Sequence, residues 1–392
     1  MRLVDSPSQA QFYDFGLSSA QEAHASRLHH ECIVFDFLSQ HAGANIFSHY
    51  SQELQALFES RLATAGCLAD AFLEAIYWPY ELSLKDESNL IADWYHQSGL
   101  TCGTYGIDVH DGSDTVALRL ESLVQRYATL PWMRYVTNTR GIREAKRQGV
   151  VAFYGGCQPT NPLPRDLSLI DRAYAKGLRS LMLTYNLMDN VGVGCTERVD
   201  AGLSRFGVRV VERCNGLGII VDVSHCGHMT TLDACRYSKR PVTANHTAAQ
   251  SVYRHVRGKR DDALKAVAST GGVIGVVALP SYLTSEVPTI EHMLDHIEYI
   301  ADLVGWEHVS IGTDWPLQVP ESILERLLSP ANEELGFQVQ DAPDVTKRLL
   351  GYDDVRDLPN ITRGLVRRGY DDSQIRGILG ENALRVFEAV CG

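Results

Sequence analysis

The stretch IIVDVSHCGH, residues 219–228, carries most of what this sequence says about its fold. Five mostly apolar, β-branched residues run without polar alternation and then break into Ser224, His225 and Gly227. A strand with one wet face alternates, whereas a parallel strand covered on both faces reads as a continuous apolar run. The amphipathic stretch before it, residues 207–217, and the one after it, residues 231–238, supply the covering helices.

Working outward, the same unit recurs. Apolar runs at 33–36, 101–107, 150–154, 180–184, 219–224, 242–245, 273–278 and 309–313 make eight. Helical patterns at 167–176, 207–217, 231–238, 261–269 and 290–304 lie between them. Eight parallel strands alternating with helices predict an α/β fold, a (β/α)8 TIM-type barrel, with a doubly wound sheet as the alternative. The rhythm breaks twice, giving helical insertions after the first and last strands at 41–98 and 315–370. The expectation is one barrel domain over residues 1–392.

Bulk properties narrow the function. The net charge of −12 disfavours nucleic acid and anionic membrane surfaces, which select basic proteins. No uncharged apolar stretch is long enough for a membrane span, and no secretory leader or lipid-anchor pattern is visible. Nine cysteines, odd in number, widely spaced and without a C-x-x-C pair, argue against a disulfide framework and for a reducing cytoplasmic setting. Cys157 and Cys226 stand out only by their neighbours.

A barrel places its chemistry at the C-terminal ends of its strands. The fifth run ends at His225, the sixth at His246 in VTANHT, and the eighth at Asp314 in SIGTDW. Two imidazoles and a carboxylate suit zinc or a related divalent ion, and the carboxylate can also move a proton. Taken singly, each strand-end histidine is an ordinary hydrogen-bonding residue. The three together favour a common site.

The segments GLRSLMLTYN, GLSRFGVRVVERCNGLGIIVDVSH, PVTANH, GGVIGVVALP and HIEYIADLVGWEHVSIGTDW resemble the renal or membrane dipeptidase family of metal-dependent hydrolases. So does the tail LPNITRGLVRRGYDDSQIRGILGENALRVF. The resemblance covers roughly residues 145–315 and 355–390 and is weak over the first hundred. It implies a two-metal site in which His225 and His246 hold the second metal and Asp314 is a ligand and proton carrier. It also implies that Arg257 grips the substrate carboxylate, a task for which a guanidinium fork is suited. Without the resemblance, Arg257 reads as part of a solvated basic loop with Arg254, Lys259 and Arg260.

The departures are specific. Leu38 and Gln40 stand where the family has its His-x-Asp pair, Gln158 stands at the bridging glutamate, and Tyr185 replaces a substrate-contacting histidine. Leucine cannot ligate, and a neutral amide cannot hold two cations together. His41, His49, His110 and Cys157 are candidate replacements.

The expectation is a hydrolase of a small amide or dipeptide-like substrate with a free carboxylate, using one zinc ion or none. Its site is His225, His246 and Asp314, with Arg257, Tyr185 and Gln158 contacting substrate. A homodimer is expected from the resemblance. The alternatives are a metal-free elimination, decarboxylation or cyclisation on the same scaffold, and a non-catalytic binding protein.

Overall fold

The computed structural model describes residues 13–39, 50–64, 78, 90–108, 115–159, 163–314, 336–338, 340–344 and 347–392. Among these, the main sheet is parallel throughout, in the order β1 (Cys102–Asp108), β3 (Val151–Gln158), β4 (Leu178–Met182), β5 (Ile220–Asp222), β6 (Val242–Ala249), β8 (Val273–Val276) and β9 (Val309–Ile311). The eighth stave is short. Phe35 bridges Cys102 on β1, and its neighbour Asp36 bridges Ile311 on β9. Those two bridges join the sheet's edges and make it a barrel, which removes the doubly wound alternative.

Seven of the eight expected runs form ladder strands with ends shifted by a few residues. The first run contributes only the two bridges, because Phe35 N–H donates to the carbonyl of Leu379 rather than to a strand. The third runs on to Gln158, further than its apolar pattern suggests. Two extra strands were not legible: β2 (Met133–Tyr135), beside β3, and β7 (Gly258–Lys259), beside β6. Both are too short to carry a period.

The helices obey local rules. Arg205–Leu217 starts on Ser204, whose hydroxyl accepts from Gly207 N–H, and stops at Gly218 with φ 86°. Ile290–Val304 and Asp261–Ser269 occupy the spans expected from their periodicity. In the first insertion, Gln52–Thr64 and Leu90–Ser98 are helical. In the second, Pro359–Arg367 is helical. No helix among the described residues is long and apolar enough to cross a membrane.

One end of the barrel is filled by aromatic rings. Phe35 lies 4.9 Å from Phe37, 5.6 Å from Tyr154 and 5.9 Å from Phe387 of the C-terminal helix Asn382–Cys391, ring centre to ring centre. All four rings are buried, and their edge-to-face contacts add to the apolar area removed from water.

The seam is polar. Asp36 Oδ1 accepts the backbone N–H of Leu38 at 3.1 Å and of Thr313 at 2.9 Å, and Oδ2 accepts the Thr313 hydroxyl at 2.6 Å. Phe37 N–H donates to Ile311, and Asp314 N–H donates to Leu38. Burial pushes the Asp36 carboxyl up to about 6 against these three donors, so it is ionised at neutral pH. Replacing Asp36 with Ala leaves buried donors unanswered, and urea denaturation is expected to show a loss of about 2–4 kcal/mol. Asp36→Asn, which keeps an acceptor, is expected to cost less.

His29 ties the first helix, Ser19–Glu31, to the rest. Its Nε2 donates to Ser98 O at 2.8 Å, and its Nδ1 accepts from the Thr362 hydroxyl at 2.7 Å. Gly99, at φ 67°, is required beside it, since a Cβ there would meet the ring at 2.7 Å. Burial lowers the His29 pKa to about 4. The unfolded chain takes up this proton below about 6.5 and the folded chain only below about 4. This stabilisation is complete above pH 6.5 and is lost as pH falls through that window. His29→Gln is expected to remove up to about 3 kcal/mol of pH-dependent stability between pH 6.5 and 4, measured as the urea midpoint of both proteins across that range.

Candidate active site

The C-terminal ends of β5 and β6 bring two buried imidazoles together. The ring centres of His225 and His246 lie 5.0 Å apart. The Tyr185 ring, in the loop after β4, stacks over His225 at 4.0 Å and 21° and covers its other face. Both histidines are held neutral, with pKa values well below the ordinary one. Burial is the main cause, followed by the positive charges of Arg257 and Lys259, with His246 also acting on His225.

Each imidazole is oriented through Nδ1. His225 Nδ1 lies 2.8 Å from Asn186 Oδ1, and His246 Nδ1 contacts Asn245 Oδ1. The Ser224 hydroxyl lies 3.0 Å from the same Asn245 oxygen and 2.8 Å from Asp222 Oδ1. Asp222 also accepts the Asn245 backbone N–H at 2.7 Å. Burial raises the Asp222 pKa to about 6. His246 Nε2 is buried and has no hydrogen-bond partner.

The strand end carrying Asn245 has no slack. A Cβ on Gly312 would sit 1.6 Å from the Asn245 carbonyl oxygen, and one on Gly275 would sit 2.0 Å from it. Only glycine lets β8 and β9 approach β6 this closely.

Arg257 is buried rather than solvated, against its basic neighbours in sequence. It is 1% exposed and is the largest of the fully buried side chains. Its NH1 donates to Ser224 O at 2.5 Å and its NH2 to His246 O at 3.3 Å, while its Nε has no partner. The guanidinium lies 5.5 Å from the Tyr282 ring centre. No salt bridge to it forms among the described residues. Two residues on, buried Lys259 donates to Cys226 O at 2.6 Å and to the Thr231 hydroxyl at 3.2 Å, and burial lowers its pKa. The interior behind the histidines is therefore cationic.

Asp314 follows β9 with φ 50°, the only described residue other than glycine in the left-handed region. That strained backbone is pinned by the N–H donated to the Leu38 carbonyl. The Asp314 charge acts on Arg257 and Tyr282. Gln158 ends β3 on the same rim, buried at 8% exposure, and no hydrogen bond joins it to either histidine.

The structure thus brings His225, His246, Tyr185 and Arg257 into contact, sets Asp314 within electrostatic reach, and leaves Gln158 apart. Gln40, His41, His49 and His110 lie outside the described residues. Sequence reasoning did not single out Asn186, Asn245, Ser224 or Lys259. The only available signal was that Asn245 precedes His246 and that Asn186 ends the LTYN segment.

Among the described residues, the rim shows no charged ligand set for a second metal ion. Leu38 is buried and apolar, Asp36 is consumed by the seam, and Gln158 is neutral. Among the described residues no three His, Cys, Asp or Glu side chains surround a common point. The two imidazoles do fit a single ion, because each gives up Nδ1 to an amide oxygen and retains Nε2, and His246 Nε2 is an orphaned buried atom.

Comparison with known proteins agrees with this fold. Residues 70–325 and 341–391 match the model for membrane dipeptidase, peptidase family M19. A curated relative, dipeptidase verJ of Clonostachys rogersoniana, is 27% identical over 274 residues, 69% of this chain and 63% of that protein, so the match spans less than two thirds of the relative. A solved amidohydrolase from Pseudomonas aeruginosa superposes with a TM-score of 0.74 at 25% identity, covering 94% of this chain and 99% of that one. A solved dipeptidase AC, described as a metallo peptidase of family M19, superposes with a TM-score of 0.66 at 20% identity, covering 92% and 99%. The chain belongs to the membrane dipeptidase family of hydrolases, peptidase family M19.

Proposed function

We propose that this protein hydrolyses an amide bond in a small, dipeptide-like substrate bearing a free carboxylate, with at most one zinc ion at the rim. The observation that carries the reading is the pair of neutral imidazoles beside a buried arginine that forms no salt bridge among the described residues. His225 and His246 would hold the ion through Nε2, with Asp314 or water completing its shell. A bound zinc ion supplies Lewis-acid polarisation and a more acidic water.

The remaining roles fall to the chain's own residues. Arg257 is a desolvated cation whose described hydrogen bonds go to backbone carbonyls, and a buried charge in that position gains from an arriving anion. It binds the substrate carboxylate and so places the amide against the histidines. Asp314 takes a proton from the attacking water and returns it to the leaving amine as the C–N bond breaks, which conserves protons over the cycle. Tyr185 covers His225 and limits the water that reaches it. Gln158, an uncharged donor and acceptor at the rim, contacts the substrate backbone.

Metal analysis of protein purified without chelator, paired with hydrolysis of a dipeptide panel, tests the reading. The expected result is no more than one equivalent of zinc and turnover that EDTA abolishes. Two equivalents, or turnover indifferent to EDTA, would overturn it. Asp314→Asn is expected to lower kcat by 100-fold or more, within the ~10²–10⁴ typical of a proton-transfer group. Arg257→Met is expected to act chiefly on KM for carboxylate-bearing substrates, and much less on the same substrates amidated at the C-terminus. Equal losses on both would remove Arg257 from carboxylate recognition.

A further inference from the structure

The two asparagines beside the histidines have a task that sequence reasoning did not assign. We propose that Asn186 and Asn245 are positioning residues that lock His225 and His246 in the Nδ1–H tautomer, so that both Nε2 lone pairs face the same space.

An amide oxygen can only accept, so an imidazole nitrogen facing Asn Oδ1 must carry the proton. Asn186 Oδ1 faces His225 Nδ1 at 2.8 Å, and Asn245 Oδ1 faces His246 Nδ1. The opposite tautomer of His246 would move the ring's one N–H from Nδ1 to Nε2, where no described residue receives it, at a cost of about 1–3 kcal/mol. Neither asparagine is free to drift. Asn245 is held by its N–H to Asp222 and by the glycine contacts on its carbonyl. The Asn186 carbonyl accepts Thr196 N–H at 3.1 Å and the Thr196 hydroxyl at 2.8 Å, and the Cys195 thiol reaches Oδ1 at 3.5 Å. Unlike a carboxylate in the same place, an amide fixes the tautomer without adding negative charge. The imidazoles therefore remain neutral beside Arg257, and the cationic interior stays available to an anion.

This inference rests on the proposed reading only in that the reading needs both lone pairs. Its test is independent of turnover. Long-range proton–nitrogen NMR of the full-length protein labelled with ¹⁵N-histidine distinguishes the tautomers, with signals assigned by their loss in His225→Gln and His246→Gln. The expected result for the unmodified protein at neutral pH is Nδ1–H at both residues, and Nε2–H at either one would overturn the proposal without recourse to any variant. Asn186→Leu, matched in thermal midpoint, is expected to give mixed tautomers at His225, and Asn186→Asp to restore Nδ1–H. Retention of Nδ1–H in Asn186→Leu would also overturn it. For a dipeptide that is turned over, the Leu variant is expected to lose about 10–100-fold in kcat, as outer-shell changes do. If the tautomers are as stated and no dipeptide is hydrolysed, the positioning role stands and the dipeptidase reading falls.

Discussion

A single carboxylate closes this barrel. Asp36 is the only acid of the first stave, and its two oxygens gather the backbone of its own turn and the backbone and hydroxyl of Thr313 across the seam. The two backbone bridges join the sheet's edges, and the buried carboxylate, which must be answered by donors, fastens them. The turn it organises carries Leu38, and the strand end it fastens carries Asp314 at φ 50°. Closure and site geometry are therefore one constraint.

The same carboxylate accounts for the asymmetry of the rim. On the side of the first stave the acid is already spent on closure, Leu38 is apolar, and Gln158 offers a cation only a neutral amide. On the side of β5 and β6, two lone-pair nitrogens face inward in front of Arg257 and Lys259. One half of the rim is structural and the other is chemical. Because neutral imidazoles and neutral amides line the chemical half, the arginine keeps its positive potential rather than spending it on a protein carboxylate.

Much of the fold was legible because buried parallel strands leave a pattern that one dimension can hold. Every expected run lies at a stave, and the helices 261–269 and 290–304 appear where their periodicity put them. The first stave was overestimated because the Phe35 N–H goes to Leu379 of the C-terminal segment, which no local pattern announces. The strands 133–135 and 258–259 are too short to show any period. At the site, strand ends located His225, His246 and Asp314. The burial of Arg257 was hidden by its basic neighbours, and the bond between Asn186 and His225, 39 residues apart, has no sequence signature.

The seam also bears on how the chain folds. Asp36 and Thr313 are 277 residues apart. Joining them directly from an open chain carries a large loop-closure cost, whereas the cost falls once the intervening staves are in place. A contact that forms only after the intervening staves makes its contribution by slowing the loss of the finished structure. A contact of this kind works as a latch, weighing on how long the barrel stays shut more than on how quickly it forms.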